Sequence, residues 1–430
     1  MKILRLRTEK LHGALNLDIK FFSRLNLLVG INGCGKTSAL NALDWLMKRD
    51  FVKLCRTDYS QIVVDFEISG KRYQLSAFKS GVVLRLFLQC DGAPLYEPIV
   101  VPLVLIGDDT PPSRRFANLR PEDHELPLWN FLEQLPSLTV ISLDRTITAE
   151  VEDRTYSDRT LRREPFEKSI TPVEYVRTLT SKAYAAFRSK SILIDSDLKS
   201  KIVLSSLQSP TDERAQGGRP HRQLSDLDVA ELEETVVGFL ARTFGHQDVE
   251  NQARNFFKHI SQLSKSQSDH PGAFEDLVQA QYARIENLAG AFNEFENRNT
   301  SAFAPLRDYL DCVNQFLRDS GKELVFNESS GEIFFRYLLS TPGATPYKDI
   351  NNLSSGEKQI LFIFTLVSFA AREDSVFIVD EPELSLHPKW QHDFMEAFLK
   401  LCPDGTQLLF ATHSPEIVGS RKSSCILVGE

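Results

Sequence analysis

The stretch Gly30-Ile31-Asn32-Gly33-Cys34-Gly35-Lys36-Thr37 fits the pattern G-x-x-x-x-G-K-[S/T], a glycine-rich segment followed by a lysine and a hydroxyl side chain. The apolar run Leu25–Val29 precedes it and predicts a short buried strand. After it, apolar residues from Leu40 to Met47 recur at helical spacing. A strand, a glycine loop and a helix in this order are the context that the pattern requires. The sequence therefore predicts a phosphate-binding loop in an α/β nucleotide-binding fold.

Each residue type in this loop has a physical reason to contact a nucleotide. Glycines allow backbone N–H groups to converge on phosphate oxygens, and the following helix directs its positive end at the same charge. Lys36 is predicted to reach the β- and γ-phosphates of ATP, and the Thr37 hydroxyl to bind Mg²⁺. The predicted nucleotide-binding residues of this segment are Gly30, Asn32, Gly33, Gly35, Lys36, Thr37 and Ser38.

Two acids follow a second apolar run near the carboxyl end of the chain. Residues 376–379 are all apolar and Asp380 and Glu381 come directly after them, which predicts a buried strand that delivers carboxylates to its carboxyl end. Asp380 is predicted to hold Mg²⁺, largely through water, and Glu381 to orient or deprotonate the attacking water. Strands that end in acids are common, so this prediction depends on the upstream glycine loop.

A serine- and glycine-rich segment, Leu353–Gln359, precedes the apolar run that begins at Ile360. The segment predicts the start of a helix with a serine cap, and a glycine and serine loop at a helix start is also an anion site. A plain helix cap is the alternative interpretation. The residues predicted to contact nucleotide here are Ser354, Ser355, Gly356 and Glu357.

The run Leu408–Ala411 predicts another short buried strand, and Thr412 and His413 follow it. A single histidine usually has a structural role. Because this one follows the strand after the two acids, we predict that His413 contacts the γ-phosphate and acts in catalysis with Lys36 and Glu381.

Composition excludes some classes of protein. Of the 430 residues, 42% are hydrophobic and 25% are charged, as in ordinary globular proteins. No run approaches the roughly 20 apolar residues of a membrane helix, and the start of the chain is charged, so a cytoplasmic protein without a membrane partner is expected. The formal net charge of −8 argues weakly against a protein covered in nucleic acid. It does not exclude a local basic groove. The six cysteines form no Cys-x-x-Cys pair, so no zinc site is predicted.

The spacing of apolar residues changes twice along the chain. Alternating apolar and polar residues predict strands up to about residue 90, including a hairpin across Ser69-Gly70-Lys71, and helical patterns dominate from Val173 to Ser320. A polar segment, Ser209–Arg222, divides the helical part. We predict a first half-domain at 1–150, a helical insertion at 151–320 and a second half-domain at 321–430. The insertion is either an ordinary helical subdomain or an arm that binds a partner or nucleic acid.

Together and in this order, the four motifs resemble the head of ABC-type ATPases. Leu353–Gln359 resembles the signature motif, Asp380-Glu381 the Walker B acids and His413 the switch histidine. Glu381–Pro388, which reads E-P-E-L-S-L-H-P, resembles the D-loop region in the form typical of RecF, SMC-like heads and OLD ATPases. That branch includes the ATPase subunits of anti-phage systems such as Septu, PARIS and certain retrons. The resemblance covers about residues 1–90 and 320–430.

The resemblance implies an α/β P-loop NTPase of ABC type with an antiparallel β subdomain and a helical insertion. It also implies that two copies sandwich two ATP molecules head to tail, so that Ser354 and Gly356 of one copy meet the γ-phosphate held by the other. ATP would close the dimer, or a higher oligomer, and hydrolysis would reopen it. The family's Q-loop glutamine has three candidate positions, Gln89, Gln134 and Arg145, and His387 stands where transporters place an aspartate.

The sequence leaves four functions open. OLD nucleases continue into a Toprim domain after the switch histidine, whereas this sequence has only 17 residues after His413. We therefore expect an ATPase subunit of an anti-phage complex whose effector, such as a nuclease, is a separate protein. The alternative is a RecF- or SMC-like ATPase of DNA repair or chromosome maintenance. The basic residues between Lys168 and Lys201 would then line a DNA-binding groove, and a solvated helix face is the other interpretation of the same residues. A transporter subunit and a chain that keeps ATP without turnover are the remaining interpretations.

Overall fold

A computed structural model describes the chain at residues 1–103, 116, 119–136, 138–141, 171–207, 226–244, 247–265, 271–339 and 347–429. Its contacts divide the chain into two compact units, one formed by Met1–Lys182 with Asp308–Glu430 and the other by Ala183–Arg307. The predicted boundary at residue 150, the polar segment Ser209–Arg222 and Arg145 lie outside the described residues. The predicted domain division stays a prediction.

All the strands of the described residues lie in the first unit. They are β1 (Lys2–Leu11), β2 (Leu15–Lys20), β3 (Leu25–Val29), β4 (Gln61–Ile68), β5 (Lys71–Ser80), β6 (Val83–Cys90), β7 (Ala93–Pro94), β8 (Ile99–Pro102), β9 (Leu138–Ile141), β10 (Lys322–Phe326), β11 (Ile333–Tyr337), β12 (Val376–Asp380), β13 (Gln407–Ala411) and β14 (Cys425–Leu427).

Helices occur in both units. They are α1 (Lys36–Met47), α2 (Phe51–Arg56), α3 (Leu126–Glu133), α4 (Pro172–Leu207), α5 (Asp226–Phe244), α6 (Gln247–Lys265), α7 (Pro271–Leu317), α8 (Ser355–Phe369), α9 (Pro388–Leu401) and α10 (Pro415–Val418). Within the part of the chain that the structure describes, no helix is long and apolar enough to cross a membrane.

The first unit combines an antiparallel and a parallel sheet, which confirms the predicted fold class. The antiparallel sheet has the order β2-β1-β4-β5-β6-β7, with β8 also paired to β6. The parallel sheet has the order β14-β3-β13-β12-β9. The predicted hairpin joins β4 and β5, where Ile68 pairs with Lys71 and both intervening residues, Ser69 and Gly70, have positive φ. Positive φ at both central residues is typical of the tight turns that join antiparallel strands.

The parallel strands are apolar on both faces because each face packs on a different core. Leu28, Ile378 and Leu409 belong to a core that also contains α1 and the antiparallel sheet. Phe377 and Phe410 belong to a second core with α8 and α9. Successive strand residues point to opposite faces, so a strand between two cores is mainly apolar. The carboxyl ends of these strands are thereby fixed between two packed layers.

The second unit is helical. Among its described residues, one small apolar cluster surrounds Val237, Phe257 and Ile285, and in another the rings of Phe239 and Phe292 stack with centroids 4.1 Å apart. Its surface carries ion pairs between neighbouring helices, such as Lys201 with Glu294. The helices that the sequence predicts in this part of the chain are therefore held by their own small cores.

Candidate functional site

The ends of three neighbouring parallel strands bring three of the four motifs to one place. Strand β13 lies between β3 and β12, with Phe410 opposite Leu27 and Ala411 opposite Asp380. The glycine loop follows β3, Glu381 follows β12, and Thr412 and His413 follow β13. Ligands of parallel α/β sheets bind at this edge because the loops that leave the strands converge there.

The glycines of the loop have conformations that other residues rarely adopt. Gly33 has φ of 83°, and Gly35 has φ of 100° at the start of α1. At Gly30, with φ of 157°, a Cβ would lie 2.7 Å from the carbonyl oxygen of Val428 and 2.8 Å from Cys34 Sγ. The loop can therefore keep this path only with glycine at these positions, and its backbone stays close to the site.

Lys36 connects the loop with the end of β13. Its side chain is buried, and its Nζ donates hydrogen bonds to the carbonyl oxygens of Gly30 at 3.0 Å and Ile31 at 3.1 Å. The same Nζ lies 3.4 Å from His413 Nδ1. A buried ammonium held by backbone carbonyls is positioned for a phosphate that approaches the loop.

The acids after β12 are also held in defined positions. The Thr37 hydroxyl donates a hydrogen bond of 3.2 Å to Asp380 Oδ1. Glu381 has φ of 48°, which is unusual for a residue with a side chain, and its N–H donates to the carbonyl oxygen of Ala411 at 2.8 Å. Its Oε1 lies 3.8 Å from His413 Nε2, so His413 lies between Lys36 and Glu381. Backbone strain of this kind is concentrated at functional sites.

The Asp380 carboxyl is costly to keep charged. Burial raises its pKa to about 6, the charges of Glu381 and Glu383 add to the effect, and the hydrogen bond from Thr37 opposes it. Because the folded-state pKa lies above the ordinary value of 3.8, ionisation of Asp380 makes the folded protein less stable as the pH rises from about 4 to about 6. The full destabilisation remains at neutral pH.

Asp380→Asn is therefore expected to stabilise the protein in buffer without nucleotide and Mg²⁺. A pKa of about 6 instead of 3.8 corresponds to at most about 3 kcal/mol at pH 7.5. The gain should shrink as the pH falls towards 4, because the aspartate is then neutral too. Chemical denaturation of both proteins at several pH values measures the difference. A variant equally or less stable than the parent protein at pH 7.5 contradicts the electrostatic cost assigned to Asp380.

A cavity of about 430 Å³ lies between these groups. In the described part of the chain its walls contain predicted residues from the loop, the acid pair and the switch: Asn32, Gly33, Gly35, Lys36, Thr37, Ser38, Glu381 and His413. Gly30 and Asp380 take part through their hydrogen bonds with Lys36 and Thr37. The predicted signature residues are not among the described residues that line this cavity.

The signature residues form the start of α8 instead. Ser354 is its N-cap and forms a capping box with Glu357, and Ser354 and Ser355 are exposed. At Gly356 a Cβ would lie 2.5 Å from the carbonyl oxygen of Ser385, so the turn after Glu381 packs directly on this glycine. Only a residue without a side chain permits that approach.

Glu357 is directed inwards. It is 2% exposed, and its carboxylate accepts hydrogen bonds from Ser320 Oγ, Lys322 Nζ and the Ser354 N–H. Burial alone would raise the pKa of Glu357, but these hydrogen bonds outweigh it and lower the pKa. With both oxygens engaged, Glu357 holds the loop in place, and the surface that a nucleotide could reach is formed by Ser354 and Ser355.

Two of the described residues that line the cavity were not predicted as site residues, Glu383 and Leu384. Glu383 lines the cavity, and its Oε1 accepts hydrogen bonds from the Thr412 hydroxyl and from the N–H groups of His413 and Ser414. Its place in the segment E-P-E-L-S-L-H-P, two residues after Glu381, was the available signal.

Two Q-loop candidates, Gln89 and Gln134, are not among the described residues that line the cavity. Gln89 is in β6 of the antiparallel sheet, and Gln134 follows α3. His387 is the N-cap of α9 and accepts a hydrogen bond from the N–H of Lys389. It therefore has a structural role at that helix start.

Metal binding by protein side chains alone is not indicated here. Among residues with described positions, no group of three or more histidines, cysteines, aspartates or glutamates is arranged to hold a metal ion. The pair Thr37 and Asp380 supplies a hydroxyl and a carboxylate, and Mg²⁺ at phosphate sites commonly uses one or two protein ligands together with phosphates and water.

Comparisons with known sequences support an ATPase. Residues 332–419 match the family described as "AAA domain, putative AbiEii toxin, Type IV TA system", and residues 5–87 match a family described as "AAA domain". No curated protein matches the chain. The loop and the acid pair have the arrangement of a P-loop nucleotide-binding site, and the two matched segments resemble ATPase domains of AAA type.

The solved structures to which this chain is similar include SMC heads. One is the Smc head domain with an extended coiled coil from Pyrococcus furiosus, bound to the C-terminal domain of ScpA; it has 12% identity and a TM-score of 0.40, over 99% of this chain and 93% of that chain. Another is the Smc head domain with a coiled coil and joint from Pyrococcus yayanosii; it has 12% identity and a TM-score of 0.36, over 96% of this chain and 92% of that chain.

Proposed function

We propose that this chain hydrolyses ATP and works as a nucleotide-gated switch. The observation that carries the proposal is a cavity on which a buried lysine, a carboxylate and a histidine converge from three parallel strand ends. Phosphoryl transfer depends mainly on positioning and on charge stabilisation, and this set of groups supplies both.

Each side chain has a role that its surroundings support. Lys36 neutralises charge on the β- and γ-phosphates, and the N–H groups of the glycine loop bind the same oxygens. Glu381 orients the attacking water and accepts its proton. His413, which lies between Lys36 and Glu381, contacts the γ-phosphate.

Mg²⁺ fits this site. Thr37 and Asp380 would hold the ion, and the raised pKa of Asp380 reflects a buried carboxylate with two further acids nearby, whose repulsion a cation relieves. When bound, Mg²⁺ supplies positive charge to the phosphates during their transfer. The chain's own contribution is to keep the Asp380 carboxylate in contact with Thr37.

A second copy completes the site in this proposal. The exposed serines at the start of α8 do not line the cavity of their own chain, so they are available to the nucleotide of another copy. A helix start with free N–H groups and serine hydroxyls is suited to bind the terminal phosphate there. ATP would thus join two chains head to tail, and its hydrolysis would separate them.

Light scattering after gel filtration tests this association. With ATP and Mg²⁺, Glu381→Gln should form a dimer or a larger homo-oligomer, and Ser355→Arg in the same background should prevent it. Ser329→Arg, in the exposed turn between β10 and β11, is the matched control and should associate normally. A Glu381→Gln variant that stays monomeric at saturating ATP contradicts the sandwich.

We further propose a role in anti-phage defence, with a separate effector that the ATPase restrains. The description of the family matched by residues 332–419, which names a toxin of a toxin–antitoxin system, supports this direction. Affinity purification from the native host, followed by mass spectrometry, tests it. A stoichiometric nuclease or toxin supports the proposal, and a Lys36→Ala variant that still protects cells against phage contradicts it.

DNA maintenance is the second candidate. The predicted basic stretch ends at Lys199 and Lys201, which form ion pairs with Asp195 and Glu294, while Lys168 lies outside the described residues. Recovery of the chain with nuclease-sensitive DNA in place of an effector would favour this candidate.

A further inference from the structure

The turn after Glu381 is tied to the loop that carries His413 through one carboxylate. Glu383 Oε1 accepts hydrogen bonds from Thr412 Oγ1 at 2.8 Å, from the His413 N–H at 2.6 Å and from the Ser414 N–H at 3.1 Å. Three donors on one oxygen, two of them backbone groups, fix the path of residues 412–414. The loop cannot shift unless these hydrogen bonds break.

Neighbouring contacts support the same arrangement. Ser414 Oγ donates to Gln391 Oε1 at 2.7 Å, and Gln391 Nε2 donates to the carbonyl oxygen of Leu386 at 3.0 Å. The backbone turn that carries Glu383 is closed by a hydrogen bond of 2.9 Å from the Leu386 N–H to the Glu383 carbonyl oxygen. The anchoring carboxylate is therefore itself on a constrained segment.

The anchored loop places the imidazole of His413 between Lys36 Nζ, at 3.4 Å, and Glu381 Oε1, at 3.8 Å. Small displacements of such a group are costly in catalysis, about 10²-fold for about 1 Å. The other oxygen of Glu383, Oε2, is buried and has no hydrogen-bond partner among the described residues. All the hydrogen bonds that the carboxylate forms with the loop therefore involve the same atom, Oε1.

We propose that Glu383 is a positioning residue for ATP hydrolysis: its Oε1 holds loop 412–414 so that His413 keeps its place between Lys36 and Glu381. This inference rests on the proposed ATPase function. It assigns Glu383 no proton transfer and no role for its negative charge. A neutral amide oxygen at the position of Oε1 has two lone pairs and still accepts hydrogen bonds from the loop.

Two substitutions separate positioning from chemistry. Glu383→Ala removes the acceptor and should lower kcat by about 10- to 100-fold while KM for ATP changes by less than about threefold. Glu383→Gln keeps an acceptor at Oε1 and should retain kcat within about threefold of the parent protein. Glu396→Ala, on the exposed side of α9, is the matched control for loss of a carboxylate. A Gln variant as slow as the Ala variant would assign the chemistry to Glu383 itself and overturn the proposal.

A double-mutant cycle tests whether the effect passes through His413. If it does, Glu383→Ala should lower kcat no further in a His413→Ala background, because the group that it positions is already absent. If the increases in activation free energy caused by the two single substitutions simply add in the double variant, the proposal is overturned.

A readout without turnover keeps this inference separate from the proposed function. Hydrogen–deuterium exchange in the peptide that contains residues 412–414 should become faster in Glu383→Ala and stay near the parent rate in Glu383→Gln. Unchanged exchange in Glu383→Ala contradicts the anchor. A parent protein that does not hydrolyse ATP, with exchange changed as expected, would refute the proposed function and leave the anchor intact.

Discussion

Glu381→Gln is expected to lower kcat for ATP hydrolysis by about 10²- to 10⁴-fold, the usual contribution of a positioned general base. The change keeps the size and hydrogen-bonding capacity of the side chain and removes its ability to accept a proton. Glu381 lines the cavity and lies beside His413, and Lys36 and the glycine loop are not altered. ATP affinity should therefore stay within about threefold of the parent protein.

Phosphate release at saturating ATP measures kcat, and titration calorimetry measures ATP binding in the same preparations. Glu373→Gln is the matched control, because this exposed residue lies just before the opposite end of β12 and should turn over normally. Turnover of Glu381→Gln within threefold of the parent protein refutes the role assigned to Glu381, whatever its ATP affinity.

Lys36→Ala is expected to weaken ATP binding by about 100-fold or more. Lys36 is the only lysine or arginine among the described residues that line the cavity, and its ammonium is buried beside the loop carbonyls. A hydrogen bond to a charged partner contributes about 1.5–3 kcal/mol, and two such contacts with phosphates correspond to about two to four orders of magnitude in affinity. ATP hydrolysis at ordinary nucleotide concentrations should be lost as a consequence.

Calorimetry with ATP and Mg²⁺ measures this effect, and circular dichroism checks that the variant is folded. Lys48→Ala provides a matched control, because this half-exposed lysine pairs with Asp44 at the other end of the same helix. Its effect on ATP affinity should be negligible, since surface ion pairs contribute at most about 1 kcal/mol and this one is remote from the cavity. A folded Lys36→Ala protein with parental ATP affinity would contradict the nucleotide site itself.

Local patterns were sufficient for the elements that hold the site. The run Leu25–Val29, the glycine loop and the helix from Lys36 lie next to one another along the chain, and so do the strand Val376–Asp380 and its acids. In such segments each residue's neighbours in sequence are also its neighbours in space. Alternation, apolar runs and glycines with positive φ therefore carry the necessary information.

Contacts between distant residues could not be predicted in the same way. Glu357 was predicted to contact nucleotide. Besides the Ser354 N–H, its carboxylate accepts hydrogen bonds from Ser320 and Lys322, which come from the end of the helical insertion and the start of β10. A glutamate three residues after a serine at a helix start predicts a capping box, but the additional partners of a buried carboxylate leave no local pattern.

What the sequence by itself determined is the phosphate-binding loop, the α/β class and the order of the motifs, because these depend on backbone conformation and on apolar periodicity over short segments. The tertiary structure alone decided that Lys36, Glu381 and His413 share one cavity, that Ser354 does not line it, and that Glu383 anchors the loop at His413. The reason is physical: strand order brings together chain segments that are tens to hundreds of residues apart, and side-chain hydrogen bonds between them depend on that packing and not on any local preference.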